Sequence, residues 1–199
     1  MLLRTVSAII IVFYCSNSFA QHYTLNGKIK GVDTGWAFIR HRQTGKTDSG
    51  RIQSDNFTIM GAATAPEFCS FGLTINGVKD YYLSLFLQSG RFGMRAAKDS
   101  LNDVSILFTG STVEKEFQQF QREVARINAF HYPSAKAGAE LEKLARRYSL
   151  KHPGSFVSAF ALISYENALP QLARLYKGLS PKIQQSYFGR QINGKLKGH

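Results

Sequence analysis

Between Tyr23 and Phe108 the apolar side chains recur at every second position, and beyond Gly110 they recur at every third or fourth. A period of two sorts side chains onto the two faces of a strand, whereas spacings of three and four line one face of a helix. Tyr23, Leu25, Gly27 and Ile29 alternate with Thr24, Asn26, Lys28 and Lys30. Trp36, Phe38 and Arg40 alternate with Ala37, Ile39 and His41 up to the turn Thr44-Gly45-Lys46. A short strand over 47–52 meets the turn cluster Ser54-Asp55-Asn56, and Phe57–Met60 returns. Phe68–Ile75 ends at Asn76-Gly77, the dipeptide best suited to a two-residue hairpin. Tyr81–Leu87, Arg91–Ala96 and Val104–Phe108 complete about eight short strands with turn signals roughly 8–12 residues apart. The pattern predicts an antiparallel β-sandwich or barrel. Its core is expected to gather Leu25, Trp36, Phe57, Leu73, Leu85 and Ile106.

The helical grammar begins at Ser111, where Ser111 and Glu114 spell a Ser-x-x-Glu capping box. Val113, Phe117, Phe120 and Val124 share one face of a helix that runs to about Phe130 and breaks at Tyr132-Pro133. A second helix is predicted over Ser134–Lys151, ending at His152-Pro153-Gly154. Ser155 can cap a third that carries Phe156, Phe160 and Ile163. A fourth spans Leu169–Tyr176 and stops at Gly178. Ser180-Pro181 opens a fifth, with Gly189 expected to close its first stretch. Strands first and helices after define a segregated α+β chain. The expected division is a sandwich over 21–110 and a C-terminal helical segment over 111–199.

The first twenty residues belong to neither part. Arg4, the apolar run from Val6 to Cys15 and the small-x-small triplet Ser18-Phe19-Ala20 read as a signal peptide, 1–20, cleaved after Ala20. The run is far short of the ~20 residues of a spanning helix. Bulky Phe13 and Tyr14 argue against lipid attachment at Cys15. No second long apolar run follows, so the exported chain should have no transmembrane span and should reside in the periplasm or elsewhere in the cell envelope.

The chain has 25 basic and 13 acidic residues, a net charge of +12, and loss of Arg4 leaves +11. Export removes nucleic acid as the partner of that charge. On the helical half Lys143, Arg146 and Arg147 are interleaved with Glu140 and Glu142, the pattern of a solvated helix face. What remains is weak attraction toward anionic envelope surfaces or an acidic partner domain.

After cleavage Cys69 is the only cysteine, so neither an internal disulfide nor dithiol chemistry is available. Cys69 shares a strand face with Phe71, Leu73 and Ile75, where a thiol is a small buried hydrophobe of low reactivity. His22, His41, His131, His152 and His199 are scattered, none at metal-ligand spacing from another His, Cys or Glu. Asp48-Ser49-Gly50 lacks the strand–elbow–helix context of a nucleophile and reads as a turn. Gly27 and Gly31 are followed by strand, with no helix N-terminus to receive a phosphate. No catalytic, cofactor-binding or metal-binding residue is assigned, and no cofactor is expected.

Several stretches taken in order carry a resemblance. "LNGKIKGVDTGWAFI", "DSGRIQSDNFTIMGAATAPEF", "YLSLFLQSG", "KDSLNDVSILFTGSTVEKEFQQF" and "LARLYKGLSPKIQQSYFGRQI" together resemble a domain of unknown function. That domain lies N-terminal to the catalytic domain in exported Bacteroidetes thioredoxin-like proteins of the ResA or AhpC/TSA type. The resemblance implies a β-sandwich followed by a helical segment that leads into a thioredoxin-like domain. The family's Trp-Cys-x-x-Cys centre has no counterpart among the residues of this sequence. The expected function is an exported, non-enzymatic accessory or binding module, its partner a thioredoxin-like domain or another envelope protein. The alternative is a truncated or split thiol-disulfide oxidoreductase whose catalytic domain lies elsewhere.

Overall fold

The computed structural model describes residues 22–63, 65–97, 107–130 and 133–198. The expected signal peptide, Val104 and the core position Ile106 lie outside these. Among the described residues eight strands come first: β1 (His22–Lys30), β2 (Thr34–His41), β3 (Thr47–Gln53), β4 (Asn56–Ala62), β5 (Glu67–Ile75), β6 (Val78–Leu87), β7 (Gly90–Ala97) and β8 (Leu107–Thr109). Six helices follow: α1 (Thr112–Ala129), α2 (Ser134–Lys151), α3 (Phe156–Tyr165), α4 (Leu169–Gly178), α5 (Pro181–Gln184) and α6 (Tyr187–Lys197). The fold class is α+β.

The turns that shape the sheet are legible in their residues. Asn76 and Gly77 both take positive φ (52° and 80°), as do Ser54 and Asp55 (48° and 66°), the requirement of a type I′ hairpin. Two antiparallel hairpins result, β3–β4 and β5–β6, and the longer loop over 42–46 joins β2 to β3 in a third.

The expected antiparallel sandwich is corrected: the strands form one mixed sheet in the order β6-β5-β2-β3-β4-β1-β7-β8. β1 lies antiparallel to β4 on one side and parallel to β7 on the other. Hairpin residues dictate direction only between consecutive strands, so nothing local specifies how β1 meets β7. The sheet is also curled. Six strand spacings of about 4.8 Å would put β6 and β7 roughly 29 Å apart if it were flat. Yet Gln88 and Ser89 alone join them, a link that reaches only about 10 Å. Curling brings Leu85 and Leu87 of β6 into one buried cluster with Phe92 and Met94 of β7, Leu25 of β1 and Phe71 and Leu73 of β5.

Trp36 does not join that core; it is 50 % exposed. The inward phase of β2 is Ala37, Ile39 and His41, whose neighbours across the sheet are the inward Leu73, Phe71 and Cys69. The bulkier phase was the outer one. Leu25, Phe57, Leu73 and Leu85 are buried together as expected.

At Gly110 the chain turns from sheet to helix with φ of 94°, and a Cβ there would strike the Arg91 carbonyl. Ser111 caps α1 by accepting from the Glu114 N–H at 3.1 Å. Only that half of the capping box forms. The Glu114 carboxylate instead accepts from the Phe86 N–H of β6 at 2.6 Å, tying the helix to the sheet. The same seam carries an aromatic cluster: Phe68 and Phe86 on the outer face of β5–β6 meet Phe117, Phe160 and Phe188 with ring centroids 5.2–6.4 Å apart. Helices thus cover the outer face at this end, building a second buried cluster with Phe120, Leu162, Leu172 and Ile192.

Two further expectations are corrected. Gly189 lies inside the first turn of α6, which is capped by Ser186; the break falls between Gln184 and Tyr187. A side chain at 189 would collide with the Ile183 and Gln184 carbonyls, so this glycine serves close packing. Arg146, read as part of a solvated face, pairs through its guanidinium with the fully buried Glu166 as well as with Glu142. Glu140–Lys143 and Glu123–Arg147 remain surface pairs.

Candidate functional site

The interior of the curled sheet is apolar except at one end, where four strands deliver five polar side chains. His41 ends β2 directly opposite Cys69 of β5. Glu67 lies two residues before Cys69 and therefore on the same face. Asp48 stands opposite Ile39, and Tyr23 of β1 opposite Gly61, both on the inward side. His41 is the hub. Its Nδ1 is 2.6 Å from Glu67 Oε2 and 3.8 Å from Cys69 Sγ, and its Nε2 is 3.0 Å from Asp48 Oδ2. The Tyr23 hydroxyl donates to the same Asp48 oxygen at 2.7 Å. Gly61 provides the space: any side chain there would collide with the Asp48 carboxylate and the Tyr23 ring.

The electrostatics follow from this packing. The Cys69 sulfur and the Glu67 carboxylate push His41 up to about 11, with Asp48 adding and burial opposing. Burial raises the Cys69 thiol, with His41 pulling the other way. Burial and then the Asp48 hydrogen bond raise Tyr23. The surroundings thus favour a protonated ring at the centre of the cluster, while burial favours the neutral thiol beside it. No fully buried side-chain nitrogen or oxygen among the described residues lacks a partner.

Cys69 is as buried as its strand pattern predicts. Spacing along the chain sets no histidine beside another ligand, yet in space His41, Glu67 and Cys69 converge with their ligand atoms within 4.8 Å of one another. The spacing missed this because β2 and β5 are neighbours in the sheet although two strands separate them in sequence. A signal did exist in the inward phases of the two strands, which end in His41 and begin with Glu67-x-Cys69. Asp48-Ser49-Gly50 is not a turn; it lies within β3. Gly50 passes so close to β4 that a Cβ would strike the Thr58 carbonyl. His22 is exposed on β1, and His152 stacks on Tyr148 at 4.6 Å where α2 ends.

The outer face of the sheet has a different character. Alternation and register place Lys28, Lys30, Arg40, Arg51, Arg91 and Arg95 outward on β1, β2, β3 and β7. Among the described residues, no carboxylate shares the outward positions of β1–β4 and β7. Lys28 stands directly opposite Arg95 in the parallel pair. The two flank an open groove of about 730 Å³, lined also by Asn26, Asn56, Leu107 and Thr109.

These features define an α+β chain with a curled mixed sheet, a polar knot inside it and a cationic outer face. No protein-family model, curated protein or solved structure matches the chain. Among the described residues no helix is long and apolar enough to cross a membrane.

Proposed function

We propose that this chain is an exported, non-enzymatic accessory module that docks an acidic segment of another envelope protein on the outer face of its sheet. The observation that carries this reading is the Lys28–Arg95 pair. Like charges directly opposite on neighbouring strands are destabilising, and an anionic partner in the groove offsets that cost. Leu107, 54 % exposed at the groove wall, adds an apolar contact to the charged ones. The resemblance to the N-terminal domain of thioredoxin-like envelope proteins supports the accessory role. With Cys15 removed in the proposed export, Cys69 has no second cysteine in the chain to resolve a mixed disulfide, which supports the non-enzymatic one.

The test is fluorescence anisotropy with a labelled glutamate-rich peptide. Binding should weaken with added salt and fall at least tenfold in the double reversal Lys28→Glu/Arg95→Glu, whose sites are exposed and should leave folding intact. Equal affinity of wild type and reversal would remove this face as the docking site. Stronger binding to vesicles of anionic lipid than to the peptide would replace the protein partner by a membrane surface.

A further inference from the structure

We propose that His41, Glu67 and Cys69 form a zinc site in which His41 coordinates through Nδ1, and Asp48 and Tyr23 orient the ligating imidazole. Three features of the geometry converge on it. The donor set is one imidazole nitrogen, one thiolate sulfur and one carboxylate oxygen, a combination that suits zinc and disfavours magnesium or calcium. A tetrahedral zinc with bonds of about 2.0–2.3 Å holds its ligand atoms roughly 3.3–3.7 Å apart. Cys69 Sγ and His41 Nδ1, 3.8 Å apart, are nearly at that separation. Glu67 Oε2, 2.6 Å from Nδ1, has only to withdraw by something under 1 Å as the metal takes the place of the bridging proton.

The far side of the ring is the second feature. A metal-bound histidine normally gives its other N–H to a carboxylate, which fixes tautomer and orientation. Asp48 stands at Nε2 in that role, and Tyr23 holds the same carboxylate oxygen. The third feature is access. The Glu67 and Asp48 side chains keep 14 % and 28 % of their surface exposed, so the knot meets solvent on its carboxylate side.

Zinc takes a thiolate from Cys69 and the Nδ1 lone pair of His41, so any protons on those atoms leave to solvent as it binds, with no change of oxidation state. Three protein donors leave a tetrahedral ion one position for water or a small ligand.

The experiment is a titration of the chelator-treated protein with Co²⁺, followed by displacement with Zn²⁺. The expected result is a thiolate-to-cobalt band in the near ultraviolet with tetrahedral visible bands, saturating at one equivalent and bleached by zinc. Cys69→Ser should lose the near-ultraviolet band. Asp48→Asn retains all three ligands and should bind about 10–100-fold more weakly, so the test survives if the cysteine variant does not fold. Folded wild-type protein without a thiolate band at saturating cobalt would overturn the site. Visible bands that persist unchanged in Cys69→Ser would do so as well, by placing the metal on surface histidines. Equal affinity of Asp48→Asn would remove the orienting role given to Asp48.

Discussion

The sheet buries its charges in company, whereas the seam between sheet and helices buries one alone. His41 and Glu114 both have pKa values pushed upward, for opposite reasons. His41 is raised because the Cys69 sulfur and the Glu67 and Asp48 carboxylates surround it and favour the charged ring. Glu114 is raised to about 8 because burial disfavours the carboxylate, and the Phe86 N–H and Gln118 amide recover only part of what water would give. The first environment keeps a charge and the second gives one up. One is a closed network, the other a hydrogen-bonded stitch within aromatic packing.

Removing the packing should have the largest effect. Phe117 is 2 % exposed and touches Phe68, Phe86 and Phe160 in edge-on contacts. Phe117→Ala should cost about 3–5 kcal/mol through lost transfer energy and the cavity left behind. Urea unfolding followed by both far-ultraviolet circular dichroism and tryptophan fluorescence will measure it. Because Trp36 lies on the sheet, two separate transitions in the variant would show that the seam couples the clusters.

Breaking the network comes next. His41→Ala leaves Glu67 and Asp48 facing each other with no cation between them. Loss of one partner from a buried ionic group costs about 3–5 kcal/mol, and the partial exposure of Asp48, 28 %, places this case near 3. His41→Gln should recover part of the loss by restoring a donor toward one carboxylate. An unfolding midpoint for His41→Ala equal to wild type would mean that the knot is held by its apolar neighbours alone.

The contrast sharpens with pH. Glu114 is neutral in the fold up to about 8, whereas an unfolded glutamate ionises near 4.5. Between those values the folded state binds more protons than the unfolded one. The stability contribution is full below about 4.5 and is lost as pH rises through 8. Glu114→Gln preserves an acceptor for the Phe86 N–H and removes the titration. Wild type should lose stability relative to this variant by a few kcal/mol between pH 5 and 8. Since His41 is common to both proteins, the difference isolates Glu114. Parallel curves of thermal midpoint against pH would contradict the neutral carboxyl.

The two regions were also unequally legible in the sequence. Helix limits followed from local chemistry: Ser111, Ser155 and Pro181 mark starts that hold to the residue. Hairpins were equally local, because Asn76-Gly77 and Ser54-Asp55 supply the positive φ their turns require. The parallel β1–β7 contact and the β2–β5 adjacency are long-range, and no turn residue encodes them. The polar knot was hidden for that reason, since its members come from β1, β2, β3 and β5. Glu114 misled differently: its spacing from Ser111 is that of a capping box, but a backbone N–H from another element outcompeted the helix's own. Gly189 similarly read as a helix stop, yet its small size serves the approach of α6 to α5.

Cys69 offers a gentler probe of the closed end. It is 0 % exposed and its thiol is raised by burial, both of which slow reaction with a thiol reagent. Native labelling should lag labelling in denaturant by orders of magnitude, and no turnover should appear in an insulin-reduction assay. Fast native labelling would show that the knot opens, and turnover abolished by Cys69→Ser would sink the non-enzymatic reading.

The smallest expected effect tests which face of β2 is the inner one. Trp36 and Leu25 are both large, and the residue pattern alone places both in the core. The fold separates them: Leu25 is 0 % exposed, and Trp36 stands outward, opposite Arg51 and Thr74. Leu25→Ala should therefore cost about 2–5 kcal/mol. Trp36→Ala should stay within about 1 kcal/mol, because half of the indole is already in water and no cavity forms beneath it. The register makes the distinction sharp, since a slip of one residue in β2 would turn Trp36 inward and expel Ala37, Ile39 and His41 together. A loss for Trp36→Ala comparable with that for Leu25→Ala would mean the opposite phase. His41 could then no longer meet Glu67 and Cys69, and the polar knot would fall with the register.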